Sequence, residues 1–268
     1  MPALDRIPPS LRRQARRTLQ PARETRLHLE EARGLRFGAR MAGANDAVEQ
    51  APANGHRPNR LERYFDNHAA GEGIQKWRHY FEIYDRHFAK FVGSEVYVVE
   101  IGVAAGGSLQ MWLDYFGPCC HLYGIDIAPG CKMHERESVR ICIGDQADPR
   151  FWTWFLREVP RIDILIDDGG HRLHQQVATF EAVYPHIRPG GVYLCEDVHG
   201  TDNPFHGYVN GLARNLHSWE RFPTTEFQRL VGSVHVYPYV TVIEKPDQPL
   251  LEFRAQRHGT EWNSGKVN

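Results

Sequence analysis

Val96-Tyr97-Val98-Val99-Glu100-Ile101-Gly102-Val103-Ala104-Ala105-Gly106-Gly107-Ser108 is the stretch that decides the fold. Val96–Glu100 is rich in β-branched residues and reads as a strand. The glycines behind it permit a tight turn, and Ser108–Tyr115 then carries apolar residues at helical spacing. A strand that runs through a glycine-rich turn into a helix brings backbone close to a ligand, with the helix N–H groups facing it.

Outward from this unit the alternation continues. Leu122–Asp126 and Arg140–Gly144 read as strands, Pro149–Glu158 as a helix, Ile162–Asp167 as a strand, His174–His186 as a helix and Val192–Glu196 as a strand. Such alternation predicts an α/β fold with a doubly wound, mostly parallel, Rossmann-like sheet. Val234–Tyr239 and Val240–Glu244 leave no room for a helix between them, which predicts an antiparallel C-terminal hairpin on one sheet edge. Upstream, Trp77, Tyr80, Phe81, Ile83, Tyr84, His87, Phe88 and Phe91 recur at helical spacing and predict a helix with a wide aromatic face.

Residues 1–60 differ in texture, with twelve arginines, no lysine, a single aromatic residue (Phe37) and an Ala/Gly/Pro/Asn-rich stretch from Met41 to Asn59. They bury too little apolar surface to offset ordering entropy, so a flexible Arg-rich arm with a short helix near Ser10–Leu19 is expected. Residues 61–268 are then expected to form the folded domain. The net charge of −1 argues against whole-protein affinity for nucleic acid or an anionic membrane. No apolar run approaches the roughly 20 residues of a membrane span. Five cysteines without a CxxC pair suit a reduced, cytoplasmic setting.

The glycine turn is weak evidence alone, but Asp126 strengthens it. It ends the second strand roughly twenty residues beyond Gly106, where an acid can bind both ribose hydroxyls of a nucleoside. Asp145 follows the third strand and could accept from an adenine amino group. A dinucleotide site prefers Gly-x-Gly-x-x-Gly, whereas this turn has Ala104 at the second glycine position and Glu100 just before it. Glu100 would repel a pyrophosphate and could hold an amino or sulfonium group. Those features favour S-adenosylmethionine over NAD.

A second constellation lies on the next two strands. Ile166-Asp167-Asp168-Gly169-Gly170-His171 and Cys195-Glu196-Asp197 put carboxylates and an imidazole at the carboxyl ends of neighbouring strands, where open α/β sheets bind ligands. Carboxylates gathered so closely share a proton or hold a cation. Oxygen-only donors suit Mg2+. Asp168, Glu196 and Asp197 are the candidate metal ligands and His171 the candidate general base. Side-chain alternation along a strand turns Asp167 away from Asp168, and it also warns that Glu196 and Asp197 point apart unless the strand has ended. His174 reads as a surface or capping residue, the Cys119–Cys120 pair as ordinary loop or core sulfur, and His199 and His206 as weak candidates for a histidine-rich metal site.

Val99–Ser108, Gly124-Ile125-Asp126, Gly144–Asp148, Ile166–His171 and Pro189-Gly190-Gly191 together resemble the ordered motifs of class I S-adenosylmethionine-dependent methyltransferases over roughly residues 64–246. Asp168…His171 followed by Glu196-Asp197 is similar to the metal-dependent sugar O-methyltransferases of macrolide biosynthesis, and to the cephamycin-biosynthesis methyltransferase component. The resemblance implies magnesium on the three matching acids and His171 as base, with Glu100, Gly102, Gly106, Ser108, Asp126, Asp145, Gln146 and Asp167 around the cofactor. It implies a hydroxylated small-molecule acceptor, a sugar or polyketide-like compound, and, by analogy with oligomeric relatives, a homo-oligomer. The aromatics of the Gly200–Phe222 segment suggest a lid or acceptor platform, with an ordinary helix over Tyr208–Trp219 as the plainer expectation. A silent adenosyl-binding module and a metal-independent N-methyltransferase are the alternatives.

Overall fold

The computed structural model describes residues 9–43, 56–218 and 224–259. The chain divides into two compact units, Met1–His56 and Arg57–Asn268. In the first, helix α1 runs over Pro9–Gly43, far beyond the short helix expected at Ser10–Leu19 in a flexible arm. Arg, Leu, Ala and Gln are good helix formers even without a core to pack on. Ion pairs one turn apart, His28–Glu31 at 3.7 Å and Glu30–Arg33 at 3.6 Å, add local support. Leu29, Leu35, Phe37 and Met41 are exposed along it.

The second unit begins a little before residue 61, because Asn59 belongs to it. Asn59 caps α2 (Arg60–Asn67) through a reciprocal capping box with Glu62, and its amide donates to the Phe81 carbonyl at 2.9 Å. α3 (Tyr80–Phe88) follows and ends in a 3-10 turn to Phe91. The sheet strands are β1 (Val96–Ile101), β2 (Cys120–Asp126), β3 (Val139–Ile143), β4 (Ile162–Asp167), β5 (Ile187–Cys195), β6 (Ser233–Tyr237) and β7 (Val240–Glu244). Their order is β3-β2-β1-β4-β5-β7-β6. β1 to β5 pair in parallel, and β7 joins antiparallel to both β5 and β6. The expected doubly wound sheet with its C-terminal hairpin is therefore present.

The intervening helices are α4 (Gly107–Phe116), α5 (Pro149–Glu158), α6 (Leu173–Val183), α7 (Pro204–Leu216) and the short α8 (Glu226–Leu230). α6 stops short of the expected His186 because Pro185 cannot continue it, and a 3-10 turn covers Tyr184–His186.

Alternation along the strands feeds two cores. Val96, Val98, Leu122, Ile164, Ile166, Val192 and Leu194 pack with Tyr84, Phe88, Trp112 and Phe116 of α3 and α4 on one face. Val99, Ile101, Ile125, Leu165 and Tyr193 pack with Trp152, Phe155, Phe180 and Phe205 of α5 to α7 on the other. The strand order reverses between β1 and β4, where ligand crevices form in open α/β sheets.

Candidate active site

A cavity of about 880 Å³ opens at that reversal point. Gly102, Ser108, Asp126, Asp145, Gln146, Asp168, His171, Glu196 and Asp197 line it. Glu100, Gly106 and Asp167 do not, although all three were expected at the cofactor.

The β1–β2 side is built from local backbone. Asp126 accepts from the Ala104 N–H at 3.0 Å and the Ala128 N–H at 2.8 Å. Partial burial raises its carboxyl, but these amides together hold it below the usual carboxylate range. Ala104 takes the left-handed conformation at φ 46°, uncommon for a residue with a Cβ. Gly102, at φ 93°, is required by close approach, since a Cβ there would collide with the Asp168 carbonyl.

Glu100 turns inward. Ser108 Oγ and Trp112 Nε1 each donate to its carboxylate at 2.9 Å, and burial raises its pKa. Asp167 is likewise enclosed, receiving Gln146 Nε2 at 2.9 Å and Tyr193 Oη at 3.0 Å, with burial again raising the carboxyl. Both acids satisfy buried donors behind the cavity wall, and neither lines the cavity. Gln146 clamps the β4 loop as well, its Oε1 accepting from the Gly170 N–H at 2.8 Å. Asp145 is exposed at the rim, where its carboxylate accepts from the Ala147 N–H at 2.8 Å.

The β4–β5 side gathers acids from two strand ends. Strand β5 has ended at Cys195, and Asp197 takes φ 54°, which frees it from alternation with Glu196. His171 also has positive φ, at 53°. Its Nε2 lies 3.9 Å from Asp168 Oδ1 and 3.8 Å from Asp197 Oδ2. Asp168, His171 and Asp197 each place one donor atom within 4.8 Å of the others. The two carboxylates offer the oxygen donors that a hard divalent cation takes, with the imidazole beside them.

Glu196 is held differently, through a residue that sequence reasoning missed. Lys76 Nζ donates to Asp168 Oδ2 at 2.5 Å and to Glu196 Oε2 at 2.8 Å, with its side chain only 3% exposed. Tyr84 Oη donates to Glu196 Oε1 at 2.7 Å, and Tyr80 Oη to Asp197 Oδ1 at 2.7 Å. Burial drives the Lys76 ammonium toward neutrality, but Glu196 and Asp168 more than reverse this and keep it charged. Burial raises the Glu196 carboxyl to about 8, and Lys76 offsets this only in part. Nothing in the sequence near Lys76 marks it; only the aromatic helix beginning at Tyr80 hints that this segment approaches the sheet.

That segment, Gly73 to Trp77, walls the cavity opposite the acids. It fits because a Cβ on Gly107 would strike the Glu72 and Gly73 carbonyls. The glycine turn thus receives a neighbouring chain segment as well as facing the cavity. No residue of Gly200–Leu216 lines the cavity. Of the two expectations for that segment, the ordinary helix is present as α7, started earlier than Tyr208 by an Asn203 cap and Pro204 and anchored by buried Phe205; residues 219–223 lie outside the described residues.

Residues 99–198 match a family model described as a methyltransferase domain. The match spans 100 of the 268 residues. Similarity extends beyond those residues. The chain is 34% identical over 203 residues to 8-demethyl-8-alpha-L-rhamnosyl tetracenomycin-C 2'-O-methyltransferase of Streptomyces olivaceus, covering 66% of this chain and 53% of that one. It is 35% identical over 190 residues to demethylmacrocin O-methyltransferase of Streptomyces fradiae, covering 60% and 47% respectively. Among solved structures, the MycE methyltransferase of the mycinamycin pathway, in complex with Mg, SAH and mycinamycin VI, superposes with a TM-score of 0.60 at 30% identity, covering 71% of this chain and 54% of that one. The chain spans about half the length of the curated relatives it matches.

Of the other histidine candidates, His199 reaches the acid cluster, its Nε2 lying 3.6 Å from Asp197 Oδ1. His174 is exposed on the first turn of α6. His206 Nε2 lies 3.0 Å from the Gly200 carbonyl, and His199 packs on Trp77 and Tyr239, so the two do not converge on a metal position. All five cysteines are free. No helix among the described residues is long and apolar enough to cross a membrane.

Proposed function

We propose that this methyltransferase domain transfers the methyl group of S-adenosylmethionine to a hydroxyl oxygen of a sugar-bearing natural product, assisted by Mg2+. The observation that carries this reading is the convergence of Asp168, His171 and Asp197 on a cavity whose other rim is the Gly102–Ser108 turn and Asp126. The sugar O-methyltransferases among its relatives support the acceptor class.

Asp126 receives the ribose hydroxyls on its open side, and Gly102 and Ser108 shape the floor beneath the rest of the cofactor. Asp145 and Gln146 border the adenine end. Asp168 and Asp197 would hold the cation, joined by Glu196 if the ion displaced Lys76 from the Asp168 and Glu196 oxygens. A bound Mg2+ lowers the pKa of an acceptor hydroxyl, and S-adenosylmethionine supplies an electrophilic methyl group. His171 takes the hydroxyl proton on its ring nitrogen, and Asp168 and Asp197 stabilise the imidazolium that results. Trp77, half exposed at the cavity wall, offers an apolar face to the sugar ring. Alignment of the two substrates contributes through positioning. The free thiols fit a reducing, cytoplasmic setting.

One observation favours a second reading. Lys76 already places a positive charge between two of the acids, so transfer that needs no metal is the competing possibility.

The test incubates the full chain with S-adenosylmethionine and a panel of glycosides bearing vicinal diols, with Mg2+ or with chelator, and weighs the products. Methylated glycoside that disappears on chelation is expected. Undiminished product in chelator would establish the second reading, and SAH binding without any product would mark a silent adenosyl-binding module.

A further inference from the structure

Outside the cavity, helix α3 meets the β6–β7 hairpin at a second cluster of titratable groups. His87 is buried, and its Nδ1 lies 3.1 Å from Glu244 Oε1. His235 Nε2 lies 3.4 Å from Glu244 Oε2, and the two imidazole rings are 4.8 Å apart. One donor atom from each of the three residues lies within 4.8 Å of the others. Ligand atoms around a tetrahedral zinc ion, with bonds of about 2.0–2.1 Å, stand about 3.3 Å apart. The two carboxylate–imidazole separations bracket that spacing.

The surroundings suit the same geometry. His87 Nε2 lies 3.0 Å from Tyr237 Oη. With the Nε2 proton donated there, Nδ1 presents its lone pair toward Glu244, and a held second nitrogen is the usual condition of a metal-ligating imidazole. Ser233 Oγ, 2.9 Å from His235 Nε2, is a further oxygen beside the cluster. Lys90 Nζ lies 3.7 Å from Glu244 Oε1 as the present counter-ion, but its side chain is half exposed and can swing to solvent. Two imidazoles and one carboxylate select a borderline transition metal over Mg2+.

We infer that His87, His235 and Glu244 form a zinc-type site that staples α3 to the edge of the sheet. The consequence reaches the cavity, because α3 also carries Tyr80 and Tyr84, which hold Asp197 and Glu196.

The test titrates the full chain with Zn2+ against a chromophoric chelator, with excess Mg2+ present to occupy the oxygen-rich cluster, and follows the melting temperature. One tight site per chain is expected, with a rise of about 5 °C when Zn2+ is at 100 times its Kd. His235→Ala, on the outermost strand, should keep the metal-free melting temperature and lose about 100-fold or more in Zn2+ affinity. Glu244→Gln should do the same, and His171→Ala should retain wild-type affinity. Three results would overturn the site. These are His235→Ala binding Zn2+ as tightly as wild type, a loss confined to His171→Ala, and wild-type binding weaker than about 10 µM, near the level of adventitious surface histidines.

Discussion

The two sides of the cavity are held by different kinds of contact. On the β1–β2 side, Asp126 is fixed by backbone amides of Ala104 and Ala128, and Gly102 by the passing carbonyl of Asp168. On the β4–β5 side, Asp168, Glu196 and Asp197 are held by Lys76, Tyr84 and Tyr80, side chains from around α3, about a hundred positions earlier in the chain. The first side is made by its own turn and the turn beside it. The second is assembled from the opposite wall, so anything that shifts the Gly73–Phe88 region should disturb the acids and spare the nucleoside pocket.

The largest effect should come from Asp168→Asn. It should lower turnover about 1000-fold, the scale of losing a principal electrostatic group, while calorimetry shows SAH binding close to wild type. Loss of SAH binding in parallel would mean the two sides are not separable. Lys76→Met tests how the acid side is held. Leaving Glu196 buried without its ammonium should cost about 3 kcal/mol or more of stability in chelator, with Mg2+ restoring much of it. A melting curve indifferent to Mg2+ in that variant would remove Lys76 as the cation's competitor. Asp126→Asn should act on the other side alone, weakening SAH about tenfold while turnover at saturating cofactor changes little. Smallest is Ala104→Gly, which relieves the left-handed backbone and should raise stability by less than about 1 kcal/mol in a denaturant titration. A loss there would show that the Ala104 methyl packs usefully.

Much of this architecture was legible before any coordinates. The strand–turn–helix at Val96–Ser108, the acid ending β2 and the hairpin at Val240–Glu244 all announce themselves by local spacing. Reading the acids was harder. Glu100 and Asp167 carry the same strand-end signal as Asp126 and Asp168, yet both face inward, toward Ser108 and Trp112 in one case and Gln146 and Tyr193 in the other. Strand alternation already turned Asp167 away from Asp168, but no local rule identified the buried partners that enclose Glu100. The Gly200–Phe222 aromatics allowed a platform or an ordinary helix by composition, and the Asn203 cap and Pro204 made the helix, whose Phe205 fills the core. In α1, low apolar content argued against order, but helix propensity is a local property and does not require a core.

The sequence by itself determined the parallel sheet, its reversal point and the chemical type of the groups brought there, because periodicity, glycine turns and strand-end acids act over a few residues. Only the tertiary structure decided which acids face the cavity, that Lys76 supplies their counter-charge, and that Trp77 rather than the α7 segment forms the wall. Those outcomes depend on which distant side chains fill the space above the sheet. Packing between elements far apart in the chain decides that, and no local pattern records it.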